Sequence, residues 1–127
     1  MTLKQLRYNY IYRTDKEQYG VDEYWEEMKP NKDGKYIGDC ESVAITLKRN
    51  NEEFKDWDYY WCRLNGGGHC ILSNGELMVD NNTREVWTLD KFNDTWNITE
   101  LRPYRWYELV FKFTQAKLLN VWFKLRR

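Results

Sequence analysis

His69-Cys70-Ile71-Leu72-Ser73-Asn74-Gly75-Glu76-Leu77-Met78-Val79-Asp80 is the stretch that decides the fold. An Asn-Gly pair between two apolar runs is the strongest short-range signal for a two-residue β-hairpin turn, because both residues tolerate positive φ. A turn at Asn74-Gly75 pairs Ser73 with Glu76, Leu72 with Leu77, Ile71 with Met78, Cys70 with Val79 and His69 with Asp80. Directly opposed residues hold their Cβ atoms about 4.5–5.5 Å apart, which admits an imidazole–carboxylate hydrogen bond. The only histidine in the chain is therefore expected beside an aspartate on one sheet face. A slip of one residue would bring Asn81 there instead.

Working outward, period-two patterning extends the sheet. Trp57–Leu64 reads as a strand, Gly66-Gly67-Gly68 as a turn, and Glu85–Leu89 as a further strand. Tyr104–Phe113 alternates like a strand. Leu119, Val121, Phe123 and Leu125 alternate as well, although Leu118, Leu119, Trp122 and Leu125 also fit a helix; the strand is the reading taken. Upstream the period is helical. Cys40, Val43, Ala44 and Leu47 form one stripe of a helix running from Cys40 to Asn50, with Asp39 as N-cap and Lys48-Arg49 at the C-terminal dipole. A second helix is expected over Asp22–Met28, with acids in its first turn and Pro30 beyond its end. Helices followed by an antiparallel sheet make an α+β fold, and 127 residues suit a single domain over 1–127.

Composition excludes several classes. Twenty Lys plus Arg balance twenty Asp plus Glu, so the chain is not a generally basic nucleic-acid coat. Nothing approaches the length of a membrane span or a signal-peptide core, and a cytoplasmic location is expected. Three cysteines are too few for a disulfide scaffold, so free thiols are expected. Cys62 and Cys70 share a sheet face if Asn65 pairs with His69, which makes a disulfide between them conceivable. One histidine and no CxxC pair rule out the common zinc sites. Charge is uneven: residues 101–127 carry seven Lys or Arg against one Glu. That segment reads as a solvated sheet edge kept from aggregating by its cations, in preference to a surface for nucleic acid, membrane or an acidic partner.

Cys40 completes a possible site. The first turn of a helix favours a thiolate, and the apolar stripe turns the residue inward. Cys40 as nucleophile, His69 as base and Asp80 as orienting carboxylate have the roles of acyl-transfer chemistry. The Cys40 backbone N–H offers one oxyanion donor, with Trp25 and Tyr36 as candidates for the second. The plainer reading makes Cys40 a small core residue, His69 a satisfied strand residue, and Asp80-Asn81-Asn82 an ordinary turn.

Gly38-Asp39-Cys40-Glu41, Gly68-His69-Cys70-Ile71-Leu72 and Val79-Asp80-Asn81, with Tyr19, Gly20, Asp22, Tyr24, Trp25 and Pro30 upstream, resemble the bacterial transglutaminase-like cysteine proteinases over roughly residues 10–92. The resemblance implies a papain- or transglutaminase-like fold with a Cys40–His69–Asp80 triad and a protein or peptide substrate. It also points to the small members that phage genomes encode. Some relatives bind calcium through acids around the cysteine, which implicates Asp39 and Glu41. Here Ser42 stands where the family commonly has a further acid, so no cofactor is expected, and helix capping is the preferred role for Asp39 and Glu41. Peptide hydrolysis leads. Transglutamination or deamidation, cell-wall amide hydrolysis, and a non-enzymatic module using the aromatic surface and basic C-terminal segment are the alternatives.

Overall fold

Helix α3 occupies Cys40–Asn50, as its stripe requires, and the Asp39 carboxylate accepts the Ser42 N–H at 3.2 Å as N-cap. The computed structural model describes residues 1–126. Before α3 come α1 (Leu3–Tyr8), β1 (Tyr10–Tyr12), α2 (Asp15–Tyr19) and β2 (Tyr36–Gly38). After it come β3 (Asp58–Leu64), β4 (Gly67–Ser73), β5 (Leu77–Val79), β6 (Trp87–Thr88), α4 (Leu89–Trp96), β7 (Leu101–Pro103) and α5 (Trp106–Leu125). Strands β1 and β2 form a small parallel pair; the others form an antiparallel sheet in the order β6-β5-β4-β3-β7.

The sheet has apolar packing on both faces. Val43, Ala44 and Leu47 of α3 meet Tyr59, Cys70, Leu72 and Val79 on one face. Cys62, Ile71 and Met78 meet Phe92 of α4 on the other. Helix α3 thus packs on the antiparallel sheet, as expected.

Four local expectations need correction. The first concerns the hairpin. Leu72 pairs with Val79 and Ser73 with Met78, so the register lies two residues from the one expected. Asn74 Oδ1 accepts the N–H groups of Glu76 and Leu77 at 2.9 and 2.8 Å, and Ser73 Oγ donates to Leu77 O at 2.7 Å, closing a wider loop. The tight two-residue turn forms instead at Asn65-Gly66, both at positive φ, which pairs Leu64 with Gly67 and starts β4 inside the glycine run. Consequently Cys62 faces His69 and Trp61 faces Cys70, so Cys62 and Cys70 lie on opposite faces and all three thiols are free.

Second, Asp22–Met28 is not helical. Side chains take its backbone donors: Asp15 Oδ2 accepts the Tyr24 N–H at 2.6 Å, and Thr46 Oγ1 accepts the Met28 N–H at 2.9 Å. The segment lays Tyr24, Trp25 and Met28 into the core as an irregular cover. Third, Glu85–Leu89 holds only the two-residue β6 before α4 begins, capped by Thr88 Oγ1 on the Lys91 N–H. Fourth, the C-terminal segment is a helix and not a sheet edge. Leu109, Phe113, Ala116 and Phe123 recur at helical spacing and face the body. Arg127 lies outside the described residues.

Candidate active site

The turn from β2 into α3 places Cys40. Tyr10 donates its hydroxyl to Gly38 O at 2.8 Å, and the Arg13 N–H donates to the same oxygen at 3.0 Å. Gly38 is required by proximity: a Cβ there would lie 2.7 Å from Met28 Sδ and 2.9 Å from Ser42 Cβ. Cys40 follows as the first residue of α3.

His69 and Asp80 meet despite the changed register. A shift of two residues preserves side-chain parity, whereas a shift of one reverses it. Continued past the end of β5, the observed pairing puts Asn82 opposite His69, and Asp80 reaches the ring along the diagonal. His69 Nε2 lies 2.7 Å from Asp80 Oδ2, with the side chains only 8% and 0% exposed. The Asn82 and Thr83 N–H groups donate to Asp80 Oδ1 at 3.0 and 2.7 Å, so one carboxylate both closes the turn and contacts the ring. With Nε2 committed to the carboxylate as donor, the Nδ1 lone pair is left for the opposite side of the ring.

β5 ends at Val79, leaving β4 upstream of Leu72 without a partner from β5. Cys40 occupies this region beside Cys70, the strand neighbour of His69. Cys40 and His69 together line two cavities. The larger, about 370 Å³, adds Trp25, Glu41, Trp61, Tyr104, Arg102, Glu108 and Lys112. The smaller, about 260 Å³, adds Tyr12, Leu64, Asn81, Asn82 and Arg84. Among the described residues no hydrogen bond joins Cys40 Sγ to His69. The thiol donates to Glu41 Oε2 at 3.2 Å. Burial, then the Glu41 charge, pushes the Cys40 thiol well above its usual range, and the Cys70 backbone N–H pulls the other way. On the far side, burial followed by the Asp80 charge pushes the Cys62 thiol up to about 12. Cys62 is inert packing beneath the pair.

Two residues that line these cavities each carry a buried polar atom without a hydrogen-bond partner: Nε1 of Trp25, on the larger, and Oδ1 of Asn81, on the smaller. Trp25 was one of the two donor candidates. Tyr36, the other, is buried in the core and lines neither cavity. Trp61, Arg102 and Glu108 carried no motif and were not legible as cleft residues; a bidentate ion pair at 2.8 and 3.0 Å joins Arg102 to Glu108.

Beneath Cys40, Asp15, Asp39 and Glu41 are buried with one carboxylate oxygen of each within 4.8 Å of the others. Such oxygens suit a hard cation by chemistry, but three protein groups fall short of the six to eight oxygens calcium takes. Burial and then the Asp39 charge raise Glu41 to about 10 and Asp15 to about 7. Asp39 keeps its expected role as a cap, whereas Glu41 is turned into the protein and does not decorate the helix dipole. Asp15 went unnoticed in the sequence because it lies 25 residues from Cys40 with no motif around it.

Comparison with family models, curated proteins and solved structures finds no match.

Proposed function

We propose that this protein is a cysteine-dependent amide hydrolase of peptidase type, built on the transglutaminase-like scheme its motifs resemble. The observation that carries the reading is the buried His69–Asp80 pair at 2.7 Å, sharing its cavities with a cysteine at the start of a helix.

The chemistry follows from the groups present. Sγ turns from Glu41 toward His69 Nδ1, to which it gives its proton, and the thiolate attacks the substrate carbonyl. The Cys40 backbone N–H and Trp25 Nε1 donate to the oxyanion that forms. The imidazolium, stabilised by Asp80, returns its proton to the leaving amine as the C–N bond breaks, and a thioester remains. Water, deprotonated by His69, then attacks the thioester; the C–S bond breaks and the acid departs, regenerating the thiol. An amine in place of water gives transglutamination through the same intermediate.

Iodoacetamide labelling read by peptide mass tests the pair directly. Burial and the contact with Glu41 hold the resting thiol above its ordinary range, so the turned side chain is what labelling reads: Cys40 should react faster than Cys62 and Cys70, and His69→Ala should remove that advantage. Equal, slow labelling of all three thiols in both proteins would defeat the proposal. New amino termini released from a peptide mixture, absent with Cys40→Ala, would mark hydrolysis; incorporation of a fluorescent amine would mark transfer.

A further inference from the structure

Helix α5 is apolar on two sides, and only one is used. Leu109, Phe113, Ala116 and Phe123 face the body, where Phe113 packs edge-on against Trp25 at 5.6 Å and Phe123 against Tyr24 at 5.5 Å. Opposite them, Val110, Phe111, Leu118, Val121, Trp122 and Leu125 stand in solvent, with Phe111 and Leu118 each 67% exposed and Leu125 79%. At 3.6 residues per turn these six fall within a stripe about 120° wide and roughly 25 Å long. Exposed Thr114 lies within the same sector, between Phe111 and Leu118. Scattered apolar side chains on a surface are ordinary; six gathered on one face of one helix mark a binding face.

Charge identifies what covers it. Lys117 and Lys124 flank one edge of the stripe and Arg126 the other, all exposed. From Leu109 to Arg126 there is no acidic residue. Of the nearby acids, Glu108 holds Arg102, Glu23 accepts Lys112 Nζ at 2.6 Å on the inner side, and Glu26 shares a cavity with Phe123 and Arg126. A second copy packed antiparallel would set the two Lys117 residues against each other near the middle of the stripe. A nucleic acid would leave the Leu and Val side chains without apolar partners. An apolar stripe bordered by snorkelling cations fits a bilayer interface carrying anionic headgroups.

We propose that the outer face of α5 docks on an anionic lipid surface, with the helix lying in the headgroup plane. No helix among the described residues is long and apolar enough to cross a membrane, so the contact is peripheral. Glu108 and Lys112 of the same helix line the larger Cys40 cavity, so docking would hold that cleft close to the lipid surface. The inference stands on exposure and charge alone and does not depend on the proposed activity.

Flotation with phosphatidylcholine vesicles, with and without phosphatidylglycerol, tests it on the whole chain. The protein should float only with the anionic vesicles, and added salt should weaken the binding. Each cation near an anionic surface is worth about fivefold in partitioning, so Lys117→Ala/Lys124→Ala should lower it roughly 25-fold. Leu118→Ser/Leu125→Ser should abolish flotation with unchanged circular dichroism, since both side chains are exposed. Failure to float at low salt overturns the proposal, as does flotation indifferent to the serine pair. A dimer in sedimentation velocity that the serine pair disperses, without lipid binding, would overturn it in favour of a second copy.

Discussion

Replacing Asp15 by Asn should stabilise the protein at alkaline pH, although it removes a charge that accepts a 2.6 Å hydrogen bond from the Tyr24 N–H. Asp15 is 1% exposed, and burial beside Asp39 raises its pKa from 3.8 to about 7. A carboxyl group whose folded pKa lies above its unfolded one carries no penalty below the unfolded value. The penalty grows as pH rises from about 4 and is complete above about 7. Three units at about 1.36 kcal/mol each give roughly 4 kcal/mol of destabilisation at pH 8. Asparagine retains one acceptor for the Tyr24 N–H and offers an NH₂ group to the neighbouring carboxylates. Glu41 then ionises more readily, which adds to the gain, while the amide oxygen accepts the Tyr24 N–H less strongly than a carboxylate and takes part of it back; about 2–4 kcal/mol at pH 8 is expected, shrinking toward zero near pH 4. Urea unfolding followed by tryptophan fluorescence measures it. A loss of stability at pH 8, or a difference independent of pH, would refute the reasoning. Wild-type stability that collapses in EDTA and returns with calcium would show that a cation, not protons, neutralises the cluster.

Asp80→Asn keeps the shape but offers Nε2 an amide in place of a carboxylate; turnover should fall by a factor of about 10²–10⁴, with little change in urea midpoint. Trp25→Phe keeps the ring packed against Phe113 and deletes the indole N–H; kcat should drop by about 10²-fold while KM holds, and an equal loss in both would argue against an oxyanion role. Gly38→Ala drives a methyl to 2.7 Å from Met28 Sδ and should cost about 1–3 kcal/mol in urea unfolding, together with slower Cys40 labelling.

What the sequence made legible follows physical specificity. The α3 stripe, its cap and its cationic end all agree, so its bounds are readable to the residue. The hairpin shows how two side chains can meet although the register differs from the one expected: Asn74 and Ser73 side chains widened the turn, and the two-residue change kept His69 and Asp80 on one face. The Asn65-Gly66 pair, equally visible, formed the tight turn and was passed over. Asp22–Met28 failed as a helix because its donors find Asp15 and Thr46, partners distant in sequence that no local pattern reveals. The C-terminal segment misled for another reason. With apolar residues on both sides of α5, period two and period 3.6 are hard to tell apart.

Sequence neighbours on β4 belong to different cores. Cys70 sits with Val43 and Ala44, against which Cys40 is also packed, whereas His69 shares its face with Ile71 and, across the strands, with Cys62 and the Phe92 cluster. Sulfur and imidazole are therefore tuned from opposite sides of one strand. Loosening around Phe92 would reach the ring first, and loosening around Ala44 the thiol first. In the proposed reaction, the reactivity of the thiol and the proton transfer by the ring can in this way drift apart under mutation, each adjustable without rebuilding the other.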